Sequence, residues 1–132
     1  MFTTELTVTI DHINYGHHLA HDKLITMLHE ARLRFFDALG EKEFNFYGVG
    51  LIVKSLNVNY RKETFRGEVL KFIIYIDEIR GAGFSLNYEV MNEANELIAD
   101  AQVVLVGFNN HSVVRLPEVG RKALGQFQRL DK

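Results

Sequence analysis

The chain has 132 residues and no cysteine, which suits one domain with a continuous hydrophobic core and excludes disulfides, zinc ribbons and a thiol nucleophile. Its 15 Lys and Arg residues against 17 Asp and Glu residues give a net charge of −2, so no basic surface favours nucleic acid or an anionic membrane. With no apolar stretch long enough to span a bilayer and no secretory signal pattern, the sequence predicts one cytoplasmic domain over residues 1–132 without a nucleic-acid or membrane partner.

The first half of the chain predicts a strand and a long helix. Residues 6–10 alternate apolar and polar side chains, which is typical of a strand with one buried face. Apolar residues then recur at helical spacing between residues 19 and 39, at Leu24, Met27, Leu28, Ala31, Phe35, Ala38 and Leu39. Gly40 can end this helix through a left-handed cap. Residues 41–50 mix charges, aromatic residues and two glycines, and predict an irregular connection.

The second half predicts a sheet. From Leu51 onward the apolar pattern has a period of two, and four strand-like runs follow with turn residues between them. The continuous apolar run within residues 69–79 is typical of a central strand, and residues 92–95 read as a hairpin loop. Pro117 opens a short amphipathic helix over residues 118–127. We therefore predict an α+β fold in which a mainly antiparallel sheet of about five strands, the last four as a meander, wraps one long helix.

The loop between the first strand and the long helix has an unusual composition. Five of the six histidines lie between residues 12 and 29, and the loop reads Asp11-His12-Ile13-Asn14-Tyr15-Gly16-His17-His18-Leu19-Ala20-His21-Asp22. Imidazole, amide and carboxylate groups therefore stand beside the backbone N–H donors at the start of a helix. Acyl-transfer chemistry requires this combination of groups.

This loop also carries a resemblance to a known family. The segment from Tyr15 to Asp22, followed by His29-Glu30-Ala31-Arg32, resembles the signature of the 4-hydroxybenzoyl-CoA thioesterase-like acyl-CoA thioesterases, which have the hotdog fold. When Ala31-Arg32 is set on the family's Ala-Arg pair, His18 falls on the family histidine without a gap. The downstream segments 48–53, 58–60 and 67–70 resemble the family's second and third strands. The similarity covers nearly the whole chain, and its specific part is the loop with the Glu-Ala-Arg segment.

The resemblance implies hydrolysis of an acyl-CoA or acyl-carrier thioester to free acid and thiol. It implies no cofactor, and it implies a homodimer or homotetramer whose active sites lie at the subunit boundary. In the same register Asn14 stands where many relatives carry a catalytic aspartate, and an amide cannot deprotonate water or attack a thioester. Asp22 and Glu30 are the candidates for the missing carboxylate, with Asp11 as a third.

The other candidate residues bind or position the substrate in this hypothesis. His18 orients the carbonyl or the base, and Asn14 holds the water or the thioester. The backbone N–H groups of Tyr15, Gly16, His17 and His18 stabilise the oxyanion, and Gly16 permits a positive φ or a close backbone approach. Arg61 is a candidate for contact with the CoA phosphates, as are Lys54, Lys62 and Arg66.

Simpler explanations compete with these roles. Asp22 suits the positive end of a helix dipole, and Glu30 precedes Arg34 by four residues, as in an exposed ion pair. Asn14 and Gly16 are common turn formers, and the histidines are compatible with a solvated loop.

Two further possibilities concern a metal and an acyl channel. The pairs His17 with His21 and His18 with Asp22 have metal-ligand spacing, but no third ligand is recognisable, so no metal site is predicted. Aromatic residues near the end of the long helix either line an acyl channel or pack in the core; they are Phe35, Phe36, Phe44, Phe46 and Tyr47.

Two other functions remain open at this point. Because Asn14 replaces an aspartate, the chain could instead be a non-catalytic module that binds acyl-CoA or an acyl carrier. A hotdog hydratase or dehydratase that uses a histidine and a carboxylate is the other alternative.

Overall fold

A computed structural model describes residues 1–129 of the chain. Its strands are β1 (Phe2–Thr7), β2 (Gly50–Tyr60), β3 (Val69–Ile79), β4 (Gly83–Met91), β5 (Leu97–Asn109) and β6 (Ser112–Val114). The helices are α1 (His21–Ala38) and α2 (Glu118–Gly125), and a short 3-10 helix occupies Ile10–His12. The strands form a six-stranded antiparallel sheet in the order β1-β3-β4-β5-β2, and β6 pairs with β5. The α+β class is confirmed; β6 is a strand that was not predicted, and α2 is the short helix predicted after Pro117.

Helix α1 packs its apolar face against β1 and β3. Leu24, Leu28 and Ala31 are buried on this face, and the ring of Phe35 meets the edge of Phe2 at 5.7 Å between centroids. The helix ends as predicted at Gly40, which has a φ of 75°. There the N–H of Gly40 donates to the backbone carbonyl of Asp37, and the N–H of Glu41 donates to the backbone carbonyl of Phe36. These are the hydrogen bonds of a glycine C-cap.

Two predicted features of the sheet are wrong. The first strand lies at Phe2–Thr7 and not at residues 6–10, because the pairing with β3 ends before Val8 and the next residues turn into the 3-10 helix. Strands β2 to β5 are not one meander, since β1 occupies the free edge of β3 and β2 therefore pairs with β5 at the opposite edge. Alternating apolar residues show that a segment is a strand but not which neighbour it pairs with.

The aromatic residues after α1 belong mostly to the core. Phe35, Phe36 and Phe46 are fully buried, and the ring of Phe46 contacts those of Phe36 and Tyr47. Phe44, in contrast, is exposed. Packing is therefore the explanation that the structure favours for this cluster over an acyl channel.

A buried polar network joins the connection after α1 to the helix and the sheet. Arg32 is buried, donates Nε–H to the carboxylate of Glu43 and reaches the hydroxyl of Tyr88 on β4 at 3.3 Å. His29 contacts the second carboxylate oxygen of Glu43 at 3.0 Å. Burial raises the pKa of Tyr88 to about 12, so this hydroxyl keeps its proton at neutral pH. The network holds the irregular residues 41–50 in one position over the helix.

Candidate active site

A cavity of about 380 Å³ opens where three segments meet. They are the loop of residues 11–20, called here the histidine loop, the start of α1, and residues 61–64 after β2. Its polar lining comes from Asn14, His18, His21, Tyr60, Arg61, Lys62, Glu63 and Thr64, and its apolar lining from Leu19, Ala20, Leu24 and Ile98. Two of the predicted catalytic residues, Asn14 and His18, therefore share one cavity. The cavity is large enough for the reacting end of a substrate but too small for a whole acyl-CoA molecule.

Backbone hydrogen bonds hold the loop against the segment after β2. The N–H of Leu19 donates to the carbonyl of Thr64 at 2.8 Å, and the N–H of Ala20 donates to the carbonyl of His12 at 2.9 Å. His18 lies directly opposite Phe65, with ring centroids 6.2 Å apart in an edge-to-face contact. The position of the His18 ring is therefore set by residues far from it in the sequence.

Asn14 builds the turn that carries His18. Its side-chain oxygen accepts a hydrogen bond from the N–H of Gly16 at 3.0 Å, and its backbone carbonyl accepts one from the N–H of His17 at 2.9 Å. The N–H groups of Gly16 and His17 are thus used within the turn, and the structure does not leave them free for a substrate oxyanion. The turn-forming explanation of Asn14 fits these contacts.

Gly16 is required for a close approach and not for a positive φ, which in this loop belongs to His17 at 64°. A methyl group at position 16 would lie 2.7 Å from Nε2 of His18, well inside van der Waals contact. The absence of a side chain at Gly16 therefore makes room for the His18 imidazole.

Gly16→Ala should displace the His18 ring and lower kcat/KM of the hydrolysis that the family resemblance implies by about tenfold or more, because small misplacements of reacting groups are costly. The unfolding midpoint should change little, since the clash is with the end of a flexible side chain. Gly125→Ala, where nothing lies within 4 Å, is the matched control and should leave the rate unchanged. Equal rates for the wild type and Gly16→Ala would show that the placement of the ring does not matter.

The two carboxylates predicted from the sequence occupy different positions. Asp22 is exposed in the first turn of α1, and its charge adds to the effect of burial in raising the pKa of Tyr60, a residue of the cavity wall. Glu30 is exposed and pairs with Arg34 at 3.0 Å, outside the cavity lining. Asp22 therefore lies next to His21 of the cavity wall but outside the lining itself, and the structure places Glu30 in the surface ion pair that its spacing allowed.

The predicted substrate-binding residues are also divided. Tyr15 is fully exposed and, with His17, Ile10 and Ile13, lines a second, open depression on the loop, which shares Asn14 with the cavity. Arg61 lines the cavity, where its Nε–H donates to the carboxylate of Asp100 at 2.8 Å.

The hydrogen bond from Arg61 lowers the pKa of Asp100, so the pair is ionised at neutral pH. Both partners are partly exposed, and such pairs contribute little to stability. Arg61 is therefore near the candidate substrate path but already paired with a carboxylate.

The start of α1 faces the cavity without a side-chain cap. The N-cap residue is Ala20, which offers no oxygen to the N–H groups of the first turn. The carbonyl of Ala20 accepts the N–H groups of Lys23 and Leu24, so the first-turn donors without a partner among the described residues are the N–H groups of His21 and Asp22. These two donors and the positive end of the helix dipole are suited to a developing negative charge on a carbonyl oxygen. The hydroxyl of Tyr60 donates to the carbonyl of His21 at 2.8 Å and fixes the first turn to the end of β2.

Two residues of the cavity wall, Glu63 and Thr64, were not predicted from the sequence. Oε2 of Glu63 lies 3.3 Å from Nε2 of His18, and Thr64 is 2% exposed. The sequence feature that could have indicated Glu63 is its position as an acidic residue within the basic segment Arg61-Lys62-Glu63-Thr64-Phe65-Arg66.

Within residues 1–129 the structure shows no group of three His, Cys, Asp or Glu side chains that could hold a metal ion. In the same part of the chain, no helix is long and apolar enough to cross a membrane.

The chain matches the model of the thioesterase-like superfamily over residues 8–124, and it therefore belongs to this family. This membership confirms the expected resemblance and the expected class, a thioester hydrolase of the hotdog fold. No curated protein is similar to the chain in sequence at a significant level.

Solved structures with the same fold include proteins that act on or bind CoA compounds. A DHNA-CoA thioesterase from Staphylococcus aureus is 24% identical, with a TM-score of 0.78 over 86% of this chain and 79% of that chain. A 1,4-dihydroxy-2-naphthoyl-CoA thioesterase from Synechocystis is 20% identical, with a TM-score of 0.85 over 99% and 98% of the two chains. A Staphylococcus aureus protein in complex with CoA is 19% identical, with a TM-score of 0.88 over 99% and 87%. At these identities the similarity shows the shared fold.

Proposed function

We propose that this chain hydrolyses an acyl-CoA thioester whose carbonyl binds in the cavity between the histidine loop and the start of α1. The observation that carries the proposal is the uncapped first turn of α1 beside the imidazole of His18 in one cavity. Similar folds in proteins that bind CoA or cleave naphthoyl-CoA support CoA as the leaving thiol.

The thioester carbonyl oxygen becomes negatively charged when water attacks the carbonyl carbon. The N–H groups of His21 and Asp22, which no described residue accepts, stabilise this oxyanion, and one such donor is worth roughly 3–4 kcal/mol. The His18 imidazole positions the reacting groups, and Asn14 keeps it in place through the turn. Asp22 remains a candidate carboxylate next to the cavity wall, whereas the ion pair of Glu30 with Arg34 favours a surface role for Glu30.

The experiment is a panel of acyl- and aryl-CoA esters with the release of free thiol followed by a thiol reagent. We expect at least one ester to be cleaved with a kcat/KM of about 10⁴ M⁻¹s⁻¹ or more, the lower end of the usual enzyme range. Calorimetric binding of the same esters without thiol release would instead indicate a non-catalytic binding module. Turnover of an enoyl or 3-hydroxyacyl thioester with the thioester left intact would indicate a hydratase.

We also propose that two copies of the chain pair through β2. This strand is one of the two edges of the sheet, has 11 residues and exposes apolar side chains, including Ile52, Val53 and Leu56. A long edge strand with exposed apolar side chains is a template for pairing with another chain, and a two-fold axis makes that pairing self-complementary. Because β2 ends at Tyr60 in the cavity wall, such a dimer brings a second copy close to the site. A cytoplasmic location stays a prediction.

Leu56→Lys should shift the protein from a dimer, or from a tetramer built of dimers, toward a monomer, because a charge would be buried between the two edges. Sedimentation velocity measures the change. Val113→Lys places the same charge on the exposed β6 and should leave the assembly intact. A wild-type protein that sediments as a monomer at micromolar concentration contradicts the pairing.

A further inference from the structure

The cavity wall contains a buried polar group without a partner. Thr64 is 2% exposed, and its side-chain Oγ1 is the only buried side-chain oxygen or nitrogen of the described residues that makes no hydrogen bond. Burying a hydroxyl without a hydrogen bond destabilises the fold, because the group has lost its water and gained no partner. Thr64 is part of the cavity lining, so a ligand or water in the cavity can provide the missing hydrogen bond.

The residue before Thr64 is a carboxylate that faces the site. Oε2 of Glu63 lies 3.3 Å from Nε2 of His18, and both side chains line the cavity. The neighbouring cations are held by other carboxylates, since Arg61 pairs with Asp100 and Lys62 pairs with Glu96. The Glu63 side chain is 64% exposed, and among the described residues the His18 imidazole is the charged or polar group that it contacts.

The segment that carries Glu63 and Thr64 is fixed in place. The carbonyl of Thr64 accepts the N–H of Leu19, and the N–H groups of Arg61 and Lys62 both donate to the carbonyl of Ile98 on β5. Backbone hydrogen bonds thus connect this segment to the loop on one side and to the sheet on the other. Such support is what a positioned catalytic group requires.

We propose that Glu63 is the general base of this enzyme, that His18 positions it, and that the hydroxyl of Thr64 holds the attacking water. The inference rests on the proposed thioester hydrolysis and supplies the carboxylate that Asn14 does not. Glu63 takes a proton from the water while the oxygen of the water bonds to the carbonyl carbon. The carbon–sulfur bond then breaks, and the proton passes from Glu63 to the leaving thiolate, which gives the free acid and the thiol.

The test compares Glu63→Gln with the wild type on the best ester of the panel. The amide keeps the size of the side chain but cannot accept the proton, so kcat should fall by about a hundredfold or more while KM changes less than about threefold. Glu78→Gln is the control, because Glu78 is exposed on β3 and pairs with Arg80. Its kcat should equal that of the wild type.

Chemical rescue separates a base from a structural residue. Added formate or acetate should restore part of the activity of Glu63→Ala, because a small carboxylate can occupy the space left by the side chain. A structural role for Glu63 would give no such recovery. Full activity of Glu63→Gln, or low activity of Glu63→Ala that carboxylates do not raise, overturns the assignment. A wild type that cleaves no ester overturns the proposed function as well, so the two failures are distinguishable.

Thr64→Val tests the hydroxyl separately. Valine keeps the shape and removes the unpartnered oxygen, so the unfolding midpoint should stay the same or rise. If the hydroxyl holds the water, kcat should nevertheless fall by about tenfold. A lower midpoint with an unchanged kcat would show that Thr64 serves the fold and not the reaction.

Discussion

Arg32→Ala is expected to destabilise the protein by about 3–5 kcal/mol, the largest effect on stability that we predict for a single substitution here. Arg32 is buried in α1 and pairs with Glu43, whose side chain is 18% exposed. Without the guanidinium, Glu43 would be left as a largely buried charge beside His29, and the hydroxyl of Tyr88 would lose the partner that the structure gives it. The shift of the urea unfolding midpoint, at constant m-value, measures the loss.

Arg80→Ala is the control for this prediction. The side chain of Arg80 is 74% exposed and pairs only with Glu78, so its removal should change stability by less than about 0.5 kcal/mol. Similar losses for Arg32→Ala and Arg80→Ala would mean that the buried network contributes no more than a surface ion pair.

His18→Ala is expected to lower kcat/KM by about a hundredfold, the scale of the loss when a reacting group is misplaced. His18 joins three parts of the site, because it packs on Phe65, lies against Gly16 and contacts Glu63. Its removal leaves Glu63 without its partner, so the loss should appear in kcat more than in KM. Initial rates over a range of acyl-CoA concentrations provide the two constants separately.

His111→Asn is the matched control, since His111 is an exposed residue in the turn between β5 and β6. Asparagine tolerates the positive φ of that position, and the rate should stay at the wild-type value. A His18→Ala variant that is as fast as this control would exclude the imidazole from the reaction.

The local elements could be predicted from the sequence because their signals lie within a few residues. The continuous apolar run of β3 indicated its bounds, Val69–Ile79, and Gly40 marked the end of α1. The short strand β6 was missed, although Asn110 and His111 have the two positive φ values of a tight hairpin turn. Asparagine in such a turn is the signal that would have indicated it.

The neighbours of β2 could not be predicted in the same way. Its alternating residues predict a strand, but pairing with β5 instead of β3 depends on β1 taking the other edge of the sheet. Which strand takes each edge depends on the whole sheet, so it cannot be predicted from a short stretch of sequence.

The candidate site was predicted in part. The loop pattern led to Asn14 and His18, which share the cavity, but it also suggested Tyr15 and His17, which line a second depression on the other side of Asn14 and not the cavity. Periodicity cannot show which side of an irregular turn a residue occupies. Glu63 was missed because its contact with His18 joins two segments that are distant in sequence and meet only after β2 is placed.

The position of β2 affects how the chain reaches its folded state. During synthesis β2 emerges long before β5, and its first residue pairs with Phe108, close to the end of β5. Until β5 has been synthesised, the apolar side chains of β2 have no partner strand. Pairing of two strands that lie so far apart in the sequence also slows folding, because a long loop must close first. The nascent chain should therefore be most prone to aggregation before β5 leaves the ribosome, and chaperone binding to arrested chains should fall sharply once β5 is exposed.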